Sequence, residues 1–191
     1  MSGLSFRFRA GKLIITAVSE TGSTSLCLEC GLCCNGVIFA DVELNSTEAK
    51  ALKSKIGTLR PITTKGQRAN ARLPQPCAAF DGCRCRIYSE RPNYCRQFEC
   101  LLLKNVQARR LDRAAALRII RTAQQRAEKV RRLLRELGDT DEAKALSHRF
   151  QRAAKQFEKA PLTDAKAQTY ADLTLAVHDL NLLLREAFYP G

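Results

Sequence analysis

Residues 27–36 read CLECGLCCNG, four cysteines within eight positions, followed by an asparagine and a glycine. Cys27, Cys30 and Cys33 keep a two-residue interval twice. At that interval two thiolates can turn inward from one tight turn toward a common ion about 2.3 Å away. Gly31 and Gly36 supply the backbone freedom such a turn needs. Cys34 breaks the spacing. Adjacent side chains diverge, so Cys33 and Cys34 point to two centres side by side rather than to one tetrahedral ion. A three-cysteine loop cannot fill a four-thiolate site by itself, and the remaining candidates are Cys77, Cys83, Cys85, Cys95 and Cys100. The long excursion from Cys34 to Cys77 is no obstacle, because closure entropy grows only slowly with loop length.

The chain has nine cysteines in 191 residues, an odd number that argues against complete disulfide pairing. Its opening, MSGLSFRFRAGKLIITAV, is interrupted by Arg7, Arg9 and Lys12 and lacks the apolar core of a secretory signal. No apolar run approaches the roughly 20 residues of a membrane span. The expected location is therefore the cytoplasm, where a cysteine framework reads as metal-binding or catalytic. Familiar patterns fit only in part. The first three cysteines copy the start of a bacterial ferredoxin loop, but the C-x3-C-P continuation is missing. The second C-x2-C of a zinc ribbon is absent, as is the C-x-x-C-H of haem attachment. No βαβ context surrounds the motif, as a thioredoxin-like site would require. His148 and His178 have no ligand-type partner at helical spacing and are not expected to bind metal.

Further on, Pro76-Cys77 and CRIYSERPNYCRQFEC at 85–100 extend the pattern. Together the elements read C-x2-C-x2-C-C, then P-C, then C-x-I-Y-x-x-R-P-x-x-C-R-x-[FY]-x-C. On these residues, from 27 to 100, the chain resembles the YkgJ-type cysteine-cluster family of zinc- or iron-chelating proteins. The resemblance implies eight thiolate ligands, Cys27, Cys30, Cys33, Cys34, Cys77, Cys85, Cys95 and Cys100, and leaves Cys83 outside. It implies a bound metal, with zinc as the first expectation and iron or a 4Fe-4S cluster as the alternative, but it names no reaction. The activity of one relative class, flagellin lysine N-methylase, does not carry over. The chain lacks both the radical-enzyme loop C-x3-C-x2-C and a glycine-rich strand-to-helix turn for a methyl donor. Arg91 and Arg96 flank Cys95 and are candidates to donate to thiolates or to balance their charge.

Around this cluster the sequence predicts an α+β protein. Residues 4–18 alternate about Ala10-Gly11-Lys12 as a small β-hairpin, and GVIFADVEL at 36–44 reads as another strand. Asn45-Ser-Thr-Glu48 is a capping box that opens a helix to about Ile56. Glycines and prolines make 57–76 mostly loop, with a short strand near Ala71–Leu73, and Pro92 can start a helix. Beyond Leu101 the pattern turns helical. Ala116, Ile120, Ala123, Ala127, Val130, Leu134 and Leu137 form one stripe that Gly138 ends. A second helix is expected from Thr140, burying Leu146, Phe150, Ala153 and Phe157. A third follows Pro161 and uses Tyr170, Leu173, Val177, Leu180 and Leu184. The expected architecture is a hairpin and cysteine-ligated metal centre (1–103) packed on a C-terminal three-helix antiparallel bundle (104–191), the two forming one compact unit.

The net charge is +13, and residues 104–135 hold eleven basic residues against Asp112 and Glu128. Arg118, Arg121, Arg132 and Arg135 lie opposite the apolar stripe. A solvated helix face accounts for them. The sharper alternative is a surface for an anionic partner, RNA, the ribosome or an acidic protein, although no aromatic residues are interleaved for stacking. The functional expectation is thus metal binding through eight thiolates. The alternatives are an iron-sulfur enzyme or redox protein acting on a protein or anionic partner, and a zinc-stabilised nucleic-acid adaptor.

Overall fold

A computed structural model describes residues 21–56, 60–61, 71–82, 84–158 and 164–189. The expected hairpin at 4–18 and Cys83 lie outside the described residues. Within them the protein is α+β and mostly helical. Helix α1 spans Thr21–Cys30, strand β1 Asp41–Leu44, helix α2 Ser46–Ile56, strand β2 Arg60–Pro61 and strand β3 Ala71–Pro74. Short helices α3 (Asn93–Gln97) and α4 (Leu101–Gln107) precede the long α5 (Arg113–Glu136), α6 (Leu146–Phe157) and α7 (Asp164–Ala187). The strands form an antiparallel sheet with β3 in the middle, Val42 opposite Leu73 and Leu44 opposite Ala71. Among the described residues no helix is long and apolar enough to cross a membrane.

The capping box before α2 is formed in both directions. Asn45 Oδ1 accepts from the amides of Thr47 and Glu48 at 3.0 and 2.9 Å, and Glu48 Oε2 accepts from the Asn45 amide at 3.1 Å. The other oxygen of Glu48 accepts from the amide of Asn93 at 2.7 Å, so one carboxylate ties the start of α2 to the start of α3. Helix α5 opens on Asp112, whose carboxylate accepts from the Ala115 amide at 2.7 Å. It closes at Gly138, whose φ of +90° lets the Asp139 amide turn back to the Leu134 carbonyl at 2.9 Å.

The alanines of the α5 stripe are fully buried and let α7 pack closely along it, with Leu173, Ala176, Leu180 and Leu184 facing inward. Leu26 of α1, Leu32, and Leu102 and Leu103 of α4 join the same core, so the cysteine-bearing segment and the long helices share one apolar interior. A second, smaller core lies under the sheet: Val42, Leu44, Leu52, Leu73, Cys77 and Ala79.

Three expectations are revised. The segment 36–44 is a strand only from Asp41, because Val37 and Ile38 turn into the helical core and the Ile38 amide is held by the Leu32 carbonyl at 3.1 Å. Cys27 and Cys30 stand on the last turn of α1 rather than in a loop. That puts them on one helix face, three residues apart. Helix α6 starts at Leu146, not Thr140. The intervening turn is pinned by Asp139, a buried carboxylate paired with Arg152 at 2.8 Å and with the fully buried Arg149 at 3.5 Å, while Arg152 also holds Asp141 at 3.0 Å. These contacts, and the Leu146 amide donating to the Gly36 carbonyl at 2.9 Å, hold 139–145 against the cysteine turn instead of letting it coil.

Candidate metal centre

Helix α1 ends at Gly31, whose φ of +65° reverses the chain. The amides of Cys34 and Asn35 both return to the Gly31 carbonyl at 2.9 Å, which makes a compact turn carrying Cys33 and Cys34. A side chain at Gly31 would put its Cβ 2.7 Å from Phe80, so the turn lies directly against the segment that bears Cys77 and Cys85. The Cys77 amide donates to the Cys34 carbonyl at 2.8 Å, and Phe80 bridges to Cys85. Helix α3 delivers Cys95, and Cys100 caps α4, its sulfur accepting from the Leu103 amide at 3.4 Å. The Cys77 sulfur accepts likewise from the Ala79 amide at 3.4 Å. Amide donors of this kind hold a thiolate's charge and orient it.

All eight cysteines proposed from the sequence line one cavity of about 290 Å³. Their mutual electrostatics sort them. Burial raises the pKa of Cys27, and the nearby Cys100 raises it further. Burial pushes Cys30 up to about 12, with Cys100 and Cys27 as its sulfur neighbours. Cys33, also raised by burial, feels Cys30, Cys34, Cys100 and Cys27. Burial pushes Cys34 up to about 12, and its principal sulfur neighbours are Cys85, Cys77 and Cys95. Cys95 is at about 12 for the same reasons, burial and then Cys77 and Cys85. Two groups of four emerge: Cys27, Cys30, Cys33 and Cys100 in the first, Cys34, Cys77, Cys85 and Cys95 in the second, joined at the Cys33–Cys34 peptide. The two cores divide them the same way. Cys30 and Cys100 pack on the helical core, whereas Cys34, Cys77 and Cys95 belong to the core under the sheet.

The donor chemistry fits a soft metal or a thiolate-held cluster. The thiols gather without closing tightly: among the described residues no group of three Cys, His, Asp or Glu side chains is poised to hold a single ion. At neutral pH the raised pKa values of Cys27, Cys30, Cys33, Cys34, Cys77, Cys95 and Cys100 keep those sulfurs protonated until a cation takes the protons' place.

Of the two flanking arginines, Arg91 faces the sulfurs. It is near enough to lower the pKa of both Cys27 and Cys95, and it stacks 3.8 Å over the Tyr88 ring while donating to the Tyr88 carbonyl at 3.1 Å. Arg96 instead fastens the turn before α3, donating to the carbonyls of Arg91 at 2.8 Å and Ser89 at 2.7 Å. His148 and His178 are exposed and away from the cavity lining. On the basic face of α5, Arg135 pairs with Glu128 and Glu142, and Arg132 with Glu136, so part of the charge read from the sequence is neutralised within the chain.

Two cavity-lining residues carry no sequence signal. Gln75, 3% exposed, holds its side-chain Oε1 without a hydrogen-bond partner. Phe188, fully buried at the end of α7, lines the same cavity, and its carbonyl accepts from the Leu101 amide at 3.1 Å, one residue past Cys100.

A helix end and a turn thus draw eight cysteines distant in sequence into one cavity. Residues 26–116 match the family model CxxCxxCC, described as a "putative zinc- or iron-chelating domain". No curated protein and no solved structure is a significant match to the chain.

Proposed function

We propose that the chain holds two metal centres, one on Cys27, Cys30, Cys33 and Cys100 and the other on Cys34, Cys77, Cys85 and Cys95, with zinc or iron as the metal. The observation that carries this reading is that all eight cysteines line one cavity, Cys30 and Cys100 packed on the helical core and Cys34, Cys77 and Cys95 on the core under the sheet. Four thiolates complete a tetrahedral ion and leave it no open position, so either centre, filled with zinc, stabilises the fold rather than performing chemistry.

A second reading is favoured by the size of the cavity that the cysteines line. Four thiolates on one zinc lie about 3.8 Å apart, the edge of a tetrahedron with 2.3 Å bonds. A bare ion also takes no more than roughly the 30 Å³ share of a water molecule. Thiols spread around a cavity of about 290 Å³ leave room for the inorganic atoms of iron-sulfur clusters.

Elemental analysis of the full chain, purified without oxygen or added metal, tests both. Colourless protein with two zinc ions per chain supports the first reading. Brown protein with acid-labile sulfide and about eight irons, as two 4Fe-4S clusters require, supports the second. Protein that titrates as free thiols and takes up neither metal sinks the proposal.

A further inference from the structure

The two sulfur sets are enclosed unequally. In the second, Cys77 is buried, its amide is fixed to the Cys34 carbonyl, and its sulfur is held by the Ala79 amide. The loop from Cys77 to Cys85 is closed by the Phe80–Cys85 bridge, by the Arg86 amide on the Ala79 carbonyl at 2.8 Å and by the Arg86 side chain on the Ala78 carbonyl at 2.6 Å. To leave this set a sulfur must break a tight network.

The first set has an open side. Cys27 is the exposed residue among the eight, although its sulfur is covered enough for burial to raise its pKa, whereas its partners Cys30, Cys33 and Cys100 are half-buried. The cavity it lines is also lined by Leu28, Phe39, Tyr94 and Phe98, with Phe39 edge-on to both Tyr94 at 5.6 Å and Phe98 at 4.8 Å. Tyr94 is 44% exposed, so this wall reaches solvent. The charges facing Cys27 are Arg91 and, opposing it, Glu99. The Arg91 guanidinium is held in place by the Tyr88 ring and carbonyl, and supplies a fixed positive charge near the Cys27 sulfur.

We propose that the first centre is exchangeable at Cys27 and admits a small thiol there, while the second is fixed. This rests on the two-centre reading above. The step is a ligand substitution. The bond from the metal to Cys27 breaks, a bond from the metal to the incoming sulfur forms, and the proton released by the incoming thiol passes to the Cys27 sulfur. No atom changes oxidation state. The apolar wall receives the donor's carbon chain, and the Arg91 guanidinium near Cys27 balances the thiolate charge that either sulfur carries while bound.

The test uses the full chain loaded with zinc and an excess of a chromogenic chelator. Release is expected in two phases of equal amplitude, the faster by about tenfold or more, in the range by which supporting residues alter metal affinity. 2-Mercaptoethanol is expected to accelerate the fast phase alone, and Cys27→Ser to abolish it while the slow phase persists. Iodoacetamide added to the wild-type protein after the fast phase is expected to label Cys27, Cys30, Cys33 and Cys100, a readout that does not depend on any variant folding. A single release phase, no response to the small thiol, or labelling that begins on Cys34, Cys77, Cys85 and Cys95 overturns the inference and leaves two metal centres standing. A chain that binds no zinc or iron overturns both.

Discussion

The Cys77 amide donates to the Cys34 carbonyl at 2.8 Å, so two cysteines far apart in sequence are joined through their backbones as well as through any metal they share. This bond fixes the register between the turn after α1 and the segment after β3. Gly31, seated on Phe80, allows the approach.

Cys34→Ser is expected to halve the bound metal and to lower the melting temperature sharply, since a structural zinc contributes on the order of 10 kcal/mol in small peptides. Cys83→Ser, outside the family pattern, should leave metal content unchanged. Metal analysis beside thermal melts checks both, and equal losses in the two variants would break the assignment.

Gly36 has φ of +78°, and a Cβ there would lie 3.0 Å from the Ala145 Cα and 3.2 Å from the Pro76 Cδ. Gly36→Ala should cost about 1–3 kcal/mol through strain and crowding together. Gly82, with φ of +94° and nothing within 4 Å of its Cβ, isolates the backbone part. Gly82→Ala should cost about 1 kcal/mol, and denaturant unfolding that ranked it above Gly36→Ala would show that the Ala145 contact does not matter.

Asp139→Ala would leave the Arg149 guanidinium, 2% exposed, without its carboxylate, at an expected cost of about 3–5 kcal/mol. Arg149→Met keeps the length, removes the buried charge and leaves Asp139 its pair with Arg152, so it should cost far less. Urea unfolding of the two variants gives the order directly.

The raised thiol pKa values set a pH window for the metal-free fold. Burial and neighbouring sulfurs hold Cys30, Cys34 and Cys95 near 12, against 9.0 for an ordinary thiol. The folded chain therefore keeps protons that the unfolded chain gives up. This contribution is whole below pH 9 and is lost as pH rises toward 12. Metal-free protein should lose stability across that interval, and metal-loaded protein much less. Zinc uptake at neutral pH should release close to eight protons per chain, measurable in a weakly buffered titration. Release near zero would mean that the thiols do not bind.

Much of this was readable in advance where the signal is local. The α5 stripe from Ala116 to Leu134 repeats at helical spacing and is buried almost as read, and the Asn45–Glu48 box is built from neighbours in sequence. The eight cysteines read from the motif all line one cavity. What escaped depends on distant contacts. TGSTSLCLEC is a poor helix former with little amphipathic signal, and its buried Leu26 joins the core that α4, α5 and α7 build. ThrAspGluAlaLysAlaLeu looks like a helix start, yet Asp139 and the arginines of α6 hold it as a turn. Nothing near Phe188 or Gln75 marks either as part of a cysteine cavity.

Phe188 also sets an order of events as the chain is made. Translation delivers the final cysteine of the cluster at position 100, but the ring that walls the cavity, and the carbonyl that fastens Leu101, are made only after the long helices. For the time it takes to synthesise the long helices, the nascent protein presents its complete sulfur set without that wall. Any metal the cluster takes up is expected to enter most easily in this interval, before the end of α7 docks and Phe188 walls the cavity.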